Sequence, residues 1–264
     1  MFNGVASTLP LRMADVPRGY ALIGDRYHNS DYIRTALKRT LVEGIGLPID
    51  FTDDYEALSA DAIQGYDLLN AFRDGMIWPA GYGEKEFFWP RGSVTLTSDP
   101  PVPEEETASA PWMTKKQGAA IKRFVESGGS ALLCHNVTYI ATHNADFRSV
   151  LGAATEGHPP VREYRVEITD RDHPITGGVS DFVVTDEQHY MEYDGDPANV
   201  FMRSVNDNGE TFKDLGTTCE AGWAFDYGQG RVCYLAPGHL IPVLWNLEYV
   251  KIQQNAVRWL LRET

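Results

Sequence analysis

Short apolar runs along the chain alternate with stretches of helical spacing. Gly19 to Gly24 is a nearly unbroken apolar run that predicts a first strand, and it feeds a polar loop, Asp25 to Ser30. Asn29 or Ser30 can cap a helix from about Asp31 to Val42, in which Ile33, Leu37 and Leu41 recur every four residues. Leu47 to Thr52 and Tyr66 to Phe72 predict two more strands, with a short turn of helix between them. Thr114 predicts the cap of a helix through Glu126, ended by Gly128-Gly129. Ser130 to His135 follows, with the continuous apolar run of a strand buried on both faces. Asp146 to Leu151 reads as a short helix, and Val161 to Thr169 and Phe182 to Tyr190 as strands. Trp223 to Tyr227 and Arg231 to Leu235 flank Gly228-Gln-Gly230 as a hairpin would. Asn246 to Leu261 closes the chain as a helix. Strands alternating with helices predict βαβ units on a parallel sheet.

One stretch breaks this rhythm. Residues 73–112 are rich in Gly, Pro and aromatics and contain Pro100-Pro-Val-Pro-Glu-Glu-Glu. A long excursion of this kind reads as a loop insertion in one domain spanning residues 1–264, because the alternation resumes directly after it. Its aromatic half, with Trp78, Tyr82, Phe87, Phe88 and Trp89, has the composition of a packed loop; the Pro/Glu half reads as a solvated bulge.

Composition narrows the function classes. Hydrophobic residues make up 43% and charged residues 23%, an ordinary globular balance. No apolar run approaches the roughly 20 residues of a membrane span, and Met1 to Pro10 lacks the basic start and apolar stretch of a signal peptide. The three cysteines, Cys134, Cys219 and Cys233, are widely spaced and odd in number, which suggests reduced thiols in a cytoplasmic protein rather than a disulfide framework. The formal charge of -14 makes nucleic acid a poor partner.

In an open parallel sheet, ligands bind beyond the carboxyl ends of the strands. Beyond the first strand lie Asp25, Arg26 and His28; beyond the third, Arg73 and Asp74. His135 and Asn136 end the Cys134 strand, and Pro237-Gly-His239 follows the late strand Arg231 to Ala236. Four segments thus deliver polar residues to one expected edge, and three of them deliver a histidine. Each histidine alone could simply close a strand on a neighbouring carbonyl; three at equivalent positions predict a shared site.

Several motifs carry a family resemblance. Gly128-Gly-Ser-Ala-Leu-Leu-Cys-His135 resembles the strand-and-histidine segment of ThuA-like (trehalose-utilisation) proteins. Leu151-Gly-Ala with Gly157-His158-Pro159 is similar to their LGG…HP segment. His173-Pro-Ile-Thr-Gly-Gly-Val with Asp186-Glu187-Gln-His-Tyr190 is similar to their HPIT-G…DE-x-Y pair, and Trp223 to His239 to their W…YGxGRV…GH segment. The match, including Gly24-Asp-Arg-Tyr-His28, runs from about residue 20 to 262. It implies an α/β fold, a flavodoxin-like or class I glutamine-amidotransferase-like three-layer sandwich with a mainly parallel central sheet. The family is associated with sugar use, often beside oxidoreductases that make 3-keto-glycosides; its own reaction does not transfer.

The resulting expectations are specific. His135, Glu187 and His239 are candidate catalytic residues; His28, Arg73, Asp74, Tyr190 and Trp78 are candidate substrate contacts. His28, His135, His158, Glu187 and His239 form a candidate set for a divalent metal such as zinc, since imidazole and carboxylate ligands suit an open catalytic site, although no compact HExxH-type motif is present. On a strand, Glu187 and His189 would share one face, and Asp186 and Tyr190 the other. His173 reads as a turn former and His143 as a surface residue. Cys134 reads as a buried core thiol, because no glycine follows it and it lies in an apolar strand. Trp78, Trp112, Tyr139 and the loop aromatics either line a sugar subsite, pin the loop to the domain, or make a homo-oligomer contact. The leading expectation is an enzyme acting on a glycoside or oxidised 3-keto sugar, with no nucleotide cofactor and no membrane partner. A non-catalytic carbohydrate-binding or assembly protein and a Cys134-dependent amidotransferase-like hydrolase are the alternatives.

The acidic surface leads to a first prediction. The chain should show no measurable affinity for duplex DNA at physiological salt, since binding needs clustered Lys and Arg to release counterions; a salt-dependent mobility shift would contradict it.

Overall fold

The structure is a computed structural model that describes residues 16–81 and 108–264. Strand β1 (Gly19–Ile23) leads to helix α1 (Ser30–Leu37), which continues as a π-helical segment to Glu43. Asn29 caps α1, its side chain accepting from the Asp31 N–H at 2.8 Å. Strands β2 (Ile49–Thr52) and β3 (Leu68–Phe72) follow, with the single turn α2 (Ala60–Ile63) between them. Two short strands, β4 (Met76–Ile77) and β5 (Ala110–Pro111), pair antiparallel and form the neck of the expected insertion. Its residues 82–107, including Tyr82, Phe87, Phe88, Trp89 and the Pro/Glu run, lie outside the described residues.

Helix α3 (Lys115–Glu126) starts with a reciprocal cap. The Thr114 hydroxyl accepts from the Gln117 N–H at 3.2 Å, and the Gln117 side chain accepts from the Thr114 N–H at 2.9 Å. Caps of this kind contribute about 1 kcal/mol each. Strand β6 (Ser130–Cys134) is buried along its whole length, and the small helices α4 (Thr138–Ala141) and α5 (Ala145–Leu151) follow. The second half comprises β7 (Ala153–Gly157), β8 (Arg162–Ile168), β9 (Phe182–Asp186), β10 (Tyr190–Tyr193), β11 (Val200–Val205), β12 (Thr218–Tyr227), β13 (Gly230–Leu235), α6 (Ile241–Leu244) and α7 (Leu247–Leu260).

Nine strands form one sheet in the order β2-β1-β3-β6-β13-β12-β11-β8-β9. The first five run parallel, and each later neighbour is antiparallel. Helix α7 packs on β6 and β13 together with the continuation of α1, and α3 packs on the same two strands together with α2 and α5. The result is the expected α/β sandwich, with the difference that an antiparallel wing extends the parallel half. The second half is legible only in part: the hairpin β12–β13 announces itself, whereas β11 of the wing and the separate pair β7 and β10 do not. Between the two halves Trp223 stacks on Tyr234 at 4.2 Å, and its indole N–H donates to the Leu151 carbonyl at 2.8 Å.

The expected strand Phe182 to Tyr190 stops at Asp186. Glu187, Gln188 and His189 leave the sheet, and β10 pairs with β7 instead. Specific polar contacts pull this segment away from a ladder. The buried Gln188 amide donates to Ser204 Oγ and to the Thr217 carbonyl, and its oxygen accepts from Arg162.

Three features set up the site. Strands β1, β3, β6 and β13 are consecutive and parallel, so their carboxyl ends line one edge. Strand β9 is reached from β13 by four antiparallel steps and therefore ends on the same side. Two glycines allow the close turns there. Gly24 has φ +84°, and a Cβ on Gly238 would lie 2.8 Å from the Phe72 ring and 2.9 Å from His135 Cβ.

Cys134 is buried, and burial raises its thiol pKa to about 12. Cys134→Ala should therefore cost only about 1 kcal/mol of stability, the scale of a small core truncation. The native protein should resist thiol reagents and label only on unfolding; rapid native labelling at this position would refute the core assignment.

Candidate functional site

Asp25 organises the loops that carry the site. Its Oδ1 accepts from the N–H groups of Tyr27 (2.7 Å) and His28 (3.0 Å) and from His28 Nδ1 (2.9 Å). Its Oδ2 accepts from the Asp74 N–H (2.9 Å) and from Asn136 Nδ2 (2.8 Å). One carboxylate thus ties together the ends of β1, β3 and β6. Burial pushes its pKa up, but the bonds and charge of His28, with the donors of Asp74 and Asn136, outweigh that and hold it at about 2. Because the carboxylate only accepts, His28 Nδ1 carries the proton, and Nε2 turns inward to His239 Nδ1 at 3.0 Å.

His135 occupies a strained position. Cys134 ends β6 with φ −124° and ψ 139°, and His135 then adopts φ 53°, a left-handed conformation that few residues other than glycine take. A strand-to-helix elbow therefore exists here, and its apex is His135. Cys134 stands one residue too early to use it. The His135 ring is fully buried. Its Nδ1 lies 2.8 Å from the Ala236 carbonyl, so this nitrogen is the donor and Nε2 carries the lone pair. That Nε2 has no hydrogen-bond partner and faces Glu187 Oε2 at 3.4 Å.

Glu187 is the hub of the site. Its Oε2 lies 3.4 Å from His135 Nε2, 3.4 Å from His189 Nε2 and 3.3 Å from His239 Nδ1, and its Oε1 lies 3.7 Å from His158 Nδ1. Ring centroids of His28, His135 and His239 are 4.9–6.0 Å apart, and His135 and His189 are 4.3 Å apart. Burial acts against the charge on Glu187, but the surrounding histidines win and hold its carboxyl well below the usual range. Burial drives His135 and His189 down, toward the neutral ring. His239 moves up, because contact with Glu187 outweighs its burial.

Asp186 braces the opposite side. Its carboxylate accepts from the N–H groups of Gly238 (2.7 Å) and Leu240 (3.2 Å), fixing the turn that presents His239. Asp74 approaches as expected. Its carboxyl accepts from the Met76 N–H at 2.7 Å, and burial, reinforced by repulsion from Asp25, raises its pKa to about 7.

All the histidines expected in the site therefore meet, and with them Glu187. Other candidates stand elsewhere. The Arg73 guanidinium bonds the Gly24 and Asp53 carbonyls and lies over the rings of Tyr55 and Trp112, where it supports the β1 loop from behind. The Tyr190 hydroxyl donates to the Gly216 carbonyl (3.0 Å) and its ring meets Phe212, away from the cluster, because the chain leaves the sheet before it. Trp78 packs edge-on against Tyr27 at 5.8 Å and borders a small cavity with Arg26, Tyr55 and Arg73. His173 accepts from the Ile175 N–H and stacks on Phe201, a turn-forming role, and His143 is exposed. Sequence reasoning left out His189, Asp25 and Asp186 as site residues. Asp25 did lie beside His28 at the expected edge, and Asp186 and His189 in the motif that carries Glu187.

His28, His135, Glu187 and His239 each offer a ligand atom within 4.8 Å of the other three. Zinc–nitrogen bonds of about 2.0–2.1 Å give a tetrahedron with edges of about 3.3–3.4 Å. The contacts of 3.0, 3.3 and 3.4 Å within this set are close to that. A lone pair facing a carboxylate is repulsive unless a proton or cation lies between them, and burial opposes the proton on His135. The donor set fits a divalent cation.

An α/β sandwich with a histidine-rich carboxyl edge is the class that fold and site define. A family model for ThuA, trehalose utilisation, matches residues 103–260, more than half of the chain. The chain belongs to the ThuA family. Among solved structures, a ThuA-like protein from Bacteroides uniformis ATCC 8492 is 17% identical, with a TM-score of 0.65 over 96% of this chain and 95% of that one. A ThuA-like protein from Parabacteroides merdae ATCC 43184 is 15% identical, with a TM-score of 0.67 over 94% and 91%. A cytoplasmic protein of Salmonella typhimurium is 13% identical, with a TM-score of 0.55 over 92% and 98%. These likenesses concern the fold. No significant match is found among curated proteins. Among the described residues, no helix is long and apolar enough to cross a membrane.

The role of Asp186 is testable. Asp186→Ala leaves the Gly238 and Leu240 amides without their acceptor, and stranded buried donors cost about 1–3 kcal/mol each. A loss of roughly 2–4 kcal/mol in urea unfolding is expected; a loss below about 1 kcal/mol would show that other contacts hold the turn.

Proposed function

We propose that this chain is a metal-dependent enzyme acting on a sugar derivative, of the class of glycosides or oxidised 3-keto sugars, in the cytoplasm. The observation that carries the metal is His135 Nε2, a buried lone pair without a hydrogen-bond partner, 3.4 Å from the Glu187 carboxylate. His28, His135, His239 and Glu187 would hold the ion, zinc or a related divalent metal. Bound there, it would supply Lewis acidity toward a carbonyl or hydroxyl oxygen of the sugar.

The chain's own groups do the rest. Asp25 and the Ala236 carbonyl hold protons on the outer nitrogens of His28 and His135, so that their Nε2 lone pairs point inward. His158, 27% exposed, and His239, 23% exposed, stand at the more open side of the cluster, where a substrate can reach them. Glu187, 14% exposed, is kept as the carboxylate by the surrounding histidines and would balance the charge of the ion. Tyr139, beside His158 and His189, and the Tyr27–Trp78 pair offer aromatic surface to a sugar ring. Family membership supports a sugar as substrate, and the three buried free cysteines suit a reducing compartment. The Cys134-dependent alternative fits poorly with a thiol buried behind the elbow.

The test is a screen of 3-keto-glycosides with protein as purified, stripped by a chelator, and reloaded with Zn²⁺, Mn²⁺ or Co²⁺. Stripping should abolish turnover and reloading restore it, and Glu187→Gln should lose activity on the order of 10²-fold or more. Full turnover by protein shown by elemental analysis to be metal-free would exclude the proposal.

A further inference from the structure

A single ion leaves two imidazoles unused. His158 and His189 stack with centroids 4.7 Å apart and planes inclined by 25°, and their ring-to-ring contacts are with His135 and Tyr139 rather than with His28 or His239. With Glu187 they form a second group whose ligand atoms all lie within 4.8 Å of one another. Only Glu187 belongs to both groups, and its two oxygens are divided unequally. Oε2 faces His135, His189 and His239, whereas Oε1 faces His158 at 3.7 Å.

The side chain of His189 is fully buried, and its Nδ1 has no hydrogen-bond partner. A neutral imidazole presents one donor and one acceptor, and a buried ring with an unmatched nitrogen needs a reason to be there. Its Nε2 is hydrogen-bonded to Glu187 Oε2 at 3.4 Å, so the unmatched atom of this ring is Nδ1, the reverse of His135. Four buried or nearly buried carboxyl groups, Asp25, Asp74, Asp186 and Glu187, surround the cluster, and the Arg73 charge acts on Asp74. Five imidazoles and these carboxyl groups exceed what one open four-coordinate ion uses, but suit two divalent ions sharing one carboxylate. His158 Nδ1 also lies 2.9 Å from the Pro159 carbonyl. A cation would compete with that carbonyl for the ring, which is exposed enough to turn.

We propose a second divalent-cation site formed by His158, His189 and Oε1 of Glu187, so that Glu187 bridges two ions. The proposal rests on the metal reading of the first site. The two fail in different ways when ions are counted. Metal-stripped protein is titrated with Mn²⁺, dialysed and analysed for manganese per chain, and its electron paramagnetic resonance spectrum is recorded. Two ions per chain with a spin-coupled spectrum are expected. His158→Ala, at a partly exposed loop position and checked for an unchanged melting curve, should hold one ion without coupling. His143→Ala, exposed and outside both groups, should still hold two. One uncoupled ion in the unaltered chain overturns the second site and leaves the first standing; none overturns both. Two coupled ions retained by a folded His158→Ala, or none retained by it, overturns the assignment of His158.

Discussion

Asp25 makes the edge of this sheet into one site. Three loops leave the ends of β1, β3 and β6, and each donates to the same buried carboxylate. A charge in that place is expensive to bury unless every oxygen lone pair is matched. Here five donors from four residues do so, and the same bonds fix which nitrogen of His28 faces inward. Loosening this carboxylate would free the loops and turn the ligand nitrogen together, so position and chemistry depend on one group.

The opposite wall follows the same logic with different parts. Asp186 ends β9 and accepts from the turn at Gly238 to Leu240, while the next residue, Glu187, faces the histidines. Adjacent carboxylates thus divide structure and chemistry between them. The local strain at His135 belongs with this division. A left-handed histidine costs about 1–2 kcal/mol, and Gly238 leaves the room for it. Burying neutral rings with unmatched nitrogens adds a further cost. Such costs persist only where the surrounding fold imposes them, and here the buried parallel strands on either side do so.

The antiparallel wing serves the site indirectly. It carries β9 around so that the strand ends on the side of β6 and β13, and it supplies the Gln188 contacts that break the ladder. Without that break, Glu187 and His189 would be ordinary strand residues pointing where the pleat sent them. The helix pair α3 and α7 covers β6 and β13 and keeps the core dry directly beneath the cluster.

The sequence by itself determined the parallel half and the strand-end histidines. Continuous apolar runs, caps at Asn29 and Thr114, and the glycine stop after α3 are local signals, and local signals survive without tertiary context. The rule that ligands gather at carboxyl ends then places His28, His135 and His239 together, because neighbouring parallel strands are only about 4.8 Å apart. The early end of β9, the left-handed elbow at His135, the displacement of Tyr190 and Arg73 from the cluster, and the inclusion of His189 were decided by tertiary structure alone. Each depends on a partner distant in the chain: Ser204 and Thr217 for Gln188, Ala236 for His135, Gly216 for Tyr190, Gly24 and Asp53 for Arg73. No periodicity within a single segment encodes a hydrogen bond whose other half lies tens of residues away.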